Sequence, residues 1–115
     1  MIKQALNILG TEYTLCIASE QEEPGLKKAD GFTDKTVKKI VVLNEGDDDS
    51  LSIADFAVYQ RKVMRHEIIH AFLFESGLHE NFAHPEYGHD ETYVDWIAAQ
   101  WPKIAATFQE AGCTT

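Results

Sequence analysis

Residues 66 to 70 read His-Glu-Ile-Ile-His, a spacing that suits metal chemistry. On a helix, the two histidines lie four residues apart on one face, so both imidazoles can bind one ion. Glu67 lies about 100° round the helix from His66, too far to share the ion but near enough to act as a general base. The pattern therefore predicts a site for one Zn²⁺ ion, with His66 and His70 as ligands and Glu67 beside the water that the metal activates.

A catalytic zinc site needs a third protein ligand, and several downstream residues could supply it. Glu91 is favoured because it begins a second predicted helix, with Asp95 one turn later on the same face. In this interpretation Glu91 binds the metal, and Asp95 accepts a hydrogen bond from the far nitrogen of a ligand histidine. The alternative third ligands are His79, His84, His89 and Asp95 itself. Without a metal, the two histidines would have to be satisfied by Glu67 or by backbone groups.

The charge distribution around the motif also suits a bound cation. Between Arg65 and Lys103 there is no Lys or Arg, whereas this window contains seven acidic residues and all five histidines. An ordinary acidic surface would give the same pattern, so this observation only supports the motif. The whole chain has a net charge of -9 and no basic patch, which argues against nucleic-acid binding.

The length of 115 residues predicts a single domain, residues 1–115, with a real hydrophobic core. The best strand is predicted at Lys38–Leu43, and alternation predicts another at Tyr13–Ala18. Ile2–Ile8 is either the hairpin partner of the second strand or a helix that leads into it. A turn at Asp30-Gly31 is expected to precede a short strand that begins at Phe32.

The motif lies in a long predicted helix, which runs from a cap at Ser50 or Ser52 to about Ser76 and stops before Gly77. Its first half is amphipathic, and its second half, Ile68–Phe74, is apolar almost all round, which predicts central burial. The residues expected to face inward in the first half are Ile53, Phe56, Ala57, Val63 and Met64.

A second helix is predicted to open at Asp90 and to end at Gly112, with a kink or a new helix start at Pro102. An apolar stripe follows its length, and its two tryptophans could serve either a core or an interface. We therefore expect an α+β fold, in which a short antiparallel or mixed sheet packs against the long motif helix and a C-terminal helix. The stripe consists of Val94, Ile97, Trp101, Ile104, Ala105 and Phe108.

The motif at residues 66 to 70, followed by Glu-Thr-Tyr-Val-Asp at residues 91 to 95, resembles the gluzincin zinc metallopeptidases. In that family a His-Glu-x-x-His helix precedes a helix that carries Glu-x-x-x-Asp. The resemblance implies a small zincin-like metallopeptidase domain in which the strand Lys38–Leu43 is the sheet edge that aligns an extended peptide substrate. It also implies the following roles: His66, His70 and Glu91 as zinc ligands, Glu67 as general base, and Asp95 as the carboxylate that orients a ligand histidine.

Two stretches, His66–Leu78 and Val94–Ile104, also resemble small His-Glu-x-x-His proteins of bacteria and their phages. The chain departs from gluzincins in size, since it has no room for the second lobe that supplies their transition-state donors. The family's Asn-Glu start to the second motif is replaced here by Asp90-Glu91. The residues that could stabilise an oxyanion or contact a substrate are Tyr87, Tyr93, His84 and His89.

Together these features predict a zinc-dependent metallopeptidase, a hydrolase that cleaves a peptide or protein substrate with metal-activated water. The alternative is a non-catalytic zinc-binding structural protein of phage or prophage origin. A purely structural module without metal is a third possibility.

No signal peptide or apolar stretch of about 20 residues is visible, so we expect a cytoplasmic protein without membrane contact. Two distant cysteines do not make a disulfide framework.

Overall fold

The computed structural model describes residues 1–44, 55–80 and 88–115. Within these ranges, four strands and two long helices form a small mixed domain, which confirms the predicted α+β class. Two short 3-10 helices, at Pro24–Lys27 and Leu78–Glu80, lie between them. The elements are β1 (Ile2–Ile8), β2 (Thr11–Ala18), β3 (Gly31–Asp34), β4 (Lys39–Leu43), α1 (Phe56–Ser76) and α2 (Glu91–Ala111).

The four strands form one mixed sheet in the order β1-β2-β4-β3. The pair β2–β4 is parallel and the other two pairs are antiparallel. Residues 2 to 8 are therefore the hairpin partner of β2 and not a helix. The hairpin turn places Leu9 and Gly10 at φ values of 53° and 90°, and the amide of Gly10 donates to Asn7 Oδ1 at 2.7 Å.

The strand predicted as the sheet edge, Lys38–Leu43, is an interior strand, so that prediction is wrong. The strand, β4, lies between β2 and β3, and β1 and β3 are the two edge strands of the described sheet. The reason lies in the apolar run of β4. Ile40 and Val42 pack in one core cluster with Ala71 of α1, and Val41 packs in another with Leu26, so β4 is covered on both faces. Gly31, predicted in a turn, is the first residue of β3.

Helix α1 begins later than predicted, because Asp55 is its N-cap. Asp55 accepts a hydrogen bond from the amide of Val58 at 3.2 Å. Ser50 and Ser52, the predicted caps, lie outside the described residues. The predicted stop is confirmed, since Gly77 adopts the left-handed conformation with φ of 82°.

The predicted burial of Ile68–Phe74 all round the helix is wrong. His70 and Ala71 are buried in this stretch, but Phe72 is 40% exposed. Ala57, predicted to face inward, is also exposed. The reason is that α1 has the sheet on one side and α2 on another, which leaves a third face of the helix open. Of the other residues predicted to face inward, Phe56, Val63 and Met64 do pack on the core, and Ile53 lies outside the described residues.

Helix α2 begins after its cap, Asp90, and runs unbroken through Pro102 to Ala111, so no new helix starts at the proline. Proline has no N–H, and the carbonyl of Ala98, four residues earlier, therefore loses its usual helical donor. Arg65 of α1 supplies a replacement, since its Nε donates to the Ala98 carbonyl oxygen at 2.8 Å. The Arg65 side chain thus replaces the missing hydrogen-bond donor and links α2 to α1.

Among the described residues, no helix combines the length and apolarity that crossing a bilayer requires.

A double-mutant cycle tests the coupling between Arg65 and Pro102. We expect Arg65→Met to lower the free energy of unfolding by about 1–3 kcal/mol, because the Ala98 carbonyl is left without a donor. In a Pro102→Ala background the restored N–H can serve that carbonyl, so the same change should cost less than about 1 kcal/mol. The measurement is urea unfolding followed by circular dichroism. Arg61→Met, at an exposed arginine one turn earlier, is the matched control. Equal costs in both backgrounds would contradict the coupling.

Candidate metal site

The three residues predicted as zinc ligands lie side by side. His66 and His70 project from one face of α1, and their Nε2 atoms are 3.1 Å apart. Glu91, at the first turn of α2, has Oε2 at 3.1 Å from His66 Nε2 and Oε1 at 2.6 Å from His70 Nε2. Within the described part of the chain, this is the one group of three or more such side chains whose ligand atoms all lie within 4.8 Å of one another.

The spacing of these atoms is close to what a metal ion requires. Zinc binds imidazole nitrogen and carboxylate oxygen at about 2.0–2.2 Å in a tetrahedron, which separates ligand atoms by roughly 3.3–3.6 Å. The distances between the Nε2 atoms of His66 and His70 and the Glu91 oxygens, 2.6 to 3.1 Å, are slightly shorter. A small outward movement of the three side chains would therefore make room for an ion between them.

The surroundings of His66 also suit a cation at its Nε2. Its Nε2 faces Glu91, and its Nδ1 lies 3.4 Å from Asp95 Oδ1. A neutral imidazole carries one N–H, so it can donate to only one of these two carboxylates. A cation bound by Nε2 and Glu91 would leave the single proton on Nδ1, directed at Asp95. This is the arrangement predicted for Asp95, whose Oδ1 is also 3.6 Å from Lys62 Nζ.

His70 is the more buried of the two histidines, with 8% of its surface exposed. Burial lowers its pKa to about 4, helped by the neighbouring His66 and His89 and opposed by the Glu91 carboxylate. At neutral pH His70 is therefore uncharged. This is the protonation state that a metal ligand needs, since the ion must take a nitrogen lone pair.

His89 contacts His70 of the same cluster. Its Nε2 forms a short hydrogen bond with His70 Nδ1, the ring nitrogen on the side away from Glu91. The two rings are also stacked, with their centroids 4.6 Å apart. His89 was predicted as an alternative ligand or as a substrate contact, and the structure places it where it orients the His70 ring.

Glu67, the predicted base, lies in a sheltered position between α1 and the edge strand β3. It is 7% exposed, and its Oε1 accepts a hydrogen bond from Thr33 Oγ1 at 2.9 Å. Burial raises the pKa of Glu67, while the Thr33 bond opposes this shift. Gly31 permits the close approach of strand and helix, since a Cβ there would lie 3.1 Å from Glu67 Cγ and 2.7 Å from Val63 Cγ1. The sequence does not predict Thr33 as a site residue, because no pattern of neighbouring residues indicates a contact with Glu67, 34 residues away.

Two connected surfaces give access to this cluster. A groove of about 450 Å³ lies between β3 and the histidines, and Thr33, Glu67 and Glu91 are among its lining residues. A smaller pocket of about 220 Å³ is lined by Asp30 and Tyr59, among others. His66 and Glu67 line both spaces, but His70 and Glu91 line only the groove, so the groove is the space that gives access to the candidate metal position.

Other residues named from the sequence lie elsewhere. His79 packs its ring against Phe74 with centroids 5.2 Å apart, and its Nδ1 has no hydrogen-bond partner among the described residues. Tyr93 is half-buried on α2 and does not line the groove or the smaller pocket. His84 and Tyr87 lie outside the described residues. Within the described residues, the structure thus brings His66, Glu67 and His70 of the first motif together with Glu91 and Asp95 of the second. Thr33 and His89 contact the same cluster.

Comparison of the chain with family models, with curated proteins and with solved structures found no match. The functional assignment therefore depends on the side chains of this cluster and on the chemistry that they can perform.

Proposed function

We propose that the chain is a zinc-dependent metallopeptidase, with His66, His70 and Glu91 as the zinc ligands. The observation that carries the proposal is the convergence of the three ligand atoms beside Glu67, a buried carboxylate that opens onto a groove. The two histidines come from one helix and Glu91 from another, 21 residues further along. The arrangement supports the gluzincin resemblance of the two motifs.

Each residue of the cluster has a distinct role in this proposal. Zinc held by the three ligands would polarise the substrate carbonyl and lower the pKa of water from 15.7 to about 7. Glu67 takes a proton from the attacking water and passes it to the leaving amine. Its raised pKa, caused by burial, moves it towards the range in which a carboxylate can both accept and return a proton. Thr33 holds the carboxylate in place from β3.

The edge strand β3 is suited to hold an extended peptide beside the metal. It pairs with β4 on one side, so alternate backbone amides and carbonyls are directed away from the sheet on the other. Gly31 and Thr33 of this strand line the same groove as His66 and Glu67. A peptide that adds to this edge would run past the candidate metal position, which supports a peptide or protein substrate.

The alternative function is a non-catalytic zinc-binding structural protein, as in a phage or prophage assembly. The observation that favours it is the position of the cluster, which joins the middle of α1 to the start of α2. A zinc ion there would link the two helices and would stabilise the domain even without turnover. The two functions share the metal site and differ in whether Glu67 acts on a substrate.

Zinc binding is tested by metal analysis and calorimetric titration of protein purified without an affinity tag. We expect one zinc per chain. Loss of a zinc-binding side chain should lower the affinity for zinc by more than the roughly 10–100-fold that is typical when a residue contacting a ligand is changed. We expect this larger loss for each of three variants: His66→Ala, His70→Ala and Glu91→Ala. The control His79→Ala removes a histidine outside the cluster and should bind zinc like the wild type. A wild-type protein that binds no zinc would exclude both metal-dependent functions.

The role of Glu67 is tested with Glu67→Gln, a nearly isosteric change that removes the base. We expect peptide hydrolysis to fall by about 10²–10⁴-fold, with one zinc still bound, because the ligands are unchanged. The readout is cleavage of a broad fluorogenic peptide library. Glu110→Gln, at an exposed position on α2, is the control. If the wild type binds zinc but cleaves no peptide, the non-catalytic function is favoured. If Glu67→Gln retains full activity, Glu67 is not the base.

Thr33→Val tests whether β3 positions the base. Valine keeps the shape of threonine but cannot donate to the Glu67 carboxylate, so we expect kcat to fall and zinc affinity to stay unchanged. The acidic limb of the pH–rate profile should also move to higher pH, because the hydrogen bond that lowers the pKa of Glu67 is lost. Thr33→Ser, which restores the hydroxyl, should recover both. An unchanged profile in Thr33→Val would contradict the positioning role.

A further inference from the structure

The smaller pocket, of about 220 Å³, adjoins the groove that lies beside β3, and we call it the side pocket. The two spaces share part of their walls, since Ala29, Gly31, His66 and Glu67 line both. A peptide whose backbone lies in the groove can therefore direct one of its side chains into the side pocket. The proposed mechanism of hydrolysis gives this pocket no role.

The side pocket combines apolar surface with a carboxylate. Tyr59 and Val63, both on α1, line the pocket and supply an aromatic ring and an aliphatic side chain. Asp30, in the loop before β3, supplies the carboxylate, and its Oδ2 accepts a hydrogen bond from the Tyr59 hydroxyl. A long basic side chain needs both features, because its methylene stem packs on apolar surface while its charged head requires an anion.

Tyr59 holds the Asp30 carboxylate in one orientation. Burial raises the pKa of Tyr59 to about 12, and the hydrogen bond to Asp30 and the negative charge of Asp30 add to this shift. The phenol therefore stays protonated near neutral pH and remains a hydrogen-bond donor. No described residue donates to the other oxygen, Oδ1 of Asp30, so that atom can accept a hydrogen bond from a ligand.

The charges in the side pocket favour a cation over an anion. Its walls carry three carboxylates, Asp30, Glu67 and Asp95, and one cation, Lys62. Lys62 Nζ lies 3.6 Å from Asp95 Oδ1, so these two charges largely offset each other. Within the described part of the chain, Asp30 forms no ion pair. Asp30 is therefore the carboxylate that is left to attract a charged ligand.

The position of Asp30 suits a substrate residue close to the bond that is cut. Asp30 directly precedes β3, and Thr33 of β3 contacts Glu67, the proposed base. Asp30 and Thr33 are three positions apart, which is about 10 Å of extended chain at roughly 3.3 Å per residue. In a peptide that adds to β3 with its cleaved bond beside Glu67, one of the first three residues on one side of that bond therefore reaches Asp30.

We propose that the side pocket selects a lysine or arginine side chain of the peptide substrate, and that Asp30 determines this specificity. The stem of the basic side chain packs against Tyr59 and Val63, and its charged head donates to Asp30 Oδ1. This inference rests on the proposed peptidase function and adds the class of substrate. The net charge of -9 acts in the same direction, because a strongly negative protein attracts cationic peptides from solution.

The size of the preference follows from the strength of one charged contact. Norleucine is the reference side chain, because it keeps most of the lysine stem and lacks the charged head. Asp30 is exposed, which weakens an ion pair, whereas a hydrogen bond between charged groups is stronger than a neutral one. We therefore expect kcat/KM for a lysine peptide to exceed that for its norleucine counterpart by about 5–50-fold.

Cleavage of a matched peptide series tests the proposal. In a fluorogenic peptide that the wild type cleaves, each of the three residues on either side of the cleaved bond is replaced in turn by lysine, arginine, norleucine or glutamate. We expect one position at which kcat/KM is highest for the two basic residues and lowest for glutamate. A wild type that cleaves peptides without preferring lysine to norleucine at any position would overturn the inference and would leave the peptidase function standing.

Variants of Asp30 test whether this residue carries the preference. In Asp30→Asn the lysine-to-norleucine ratio of kcat/KM should fall close to one, and Asp30→Lys should favour glutamate over lysine. Glu110→Gln removes the same charge at an exposed position on α2, so it should keep the wild-type ratio. Tyr59→Phe keeps the ring but cannot donate to Asp30, and should lower the ratio by about two- to five-fold. An Asp30→Asn variant that keeps the full preference would contradict the assignment.

A binding measurement tests the side pocket without turnover, if the wild type cleaves no peptide. Fluorescein-labelled, amidated Ala-Ala-Lys-Ala-Ala and its norleucine counterpart are titrated with the chain, and fluorescence anisotropy is the readout. The wild type and Glu110→Gln should bind the lysine peptide about 5–50-fold more tightly, and Asp30→Asn should bind both peptides equally. This preference without cleavage would support the pocket and contradict only the peptidase function. Equal binding of both peptides by the wild type would overturn the inference.

Discussion

The contact between α1 and α2 is the constraint on which the candidate site depends. His66, His70 and Glu67 are all on α1, but Glu91 and Asp95 are on α2, so the cluster exists only while the two helices are held together. Arg65 has a central part in this contact, because it donates to the carbonyl that Pro102 leaves without a helical partner. Arg65 therefore replaces the donor that Pro102 lacks, and the same hydrogen bond holds the helix that brings Glu91 to the histidines.

The second constraint is the burial of polar groups on α1. Glu67 and His70 are its two buried polar residues, and each would cost free energy if it had no partner. The surrounding structure supplies a partner to each: Thr33 to Glu67, and Glu91 and His89 to His70. These partners come from two separate parts of the chain, β3 and the start of α2. A purely structural domain gains little from burying a glutamate and a histidine side by side, whereas a metal site with a base requires both.

The sequence predicted the parts of the fold and of the site that depend on short-range helical geometry. The one-turn spacing of His66 and His70, and of Glu91 and Asp95, follows from 3.6 residues per turn, and the structure keeps both pairs on their helices. The hairpin, the stop at Gly77 and the mixed α+β class also have local signals. By contrast, local signals do not determine the sheet order, so Lys38–Leu43 was wrongly predicted as the edge and Thr33 was not predicted at all. The Asp55 cap was missed because three acceptable cap residues lie within six positions. The exposure of Phe72 was missed because an apolar run does not show which of its faces will be covered.

We propose that one zinc ion is bound by His66, His70 and Glu91. It is tested most directly by a crystal structure of the zinc-loaded chain, with anomalous scattering measured on both sides of the zinc absorption edge. We expect one strong anomalous peak, about 2.0–2.2 Å from Nε2 of His66, Nε2 of His70 and a carboxylate oxygen of Glu91, with Asp95 at the far nitrogen of His66. A peak bound by other residues, or a Glu91 side chain directed away from both histidines, would contradict it.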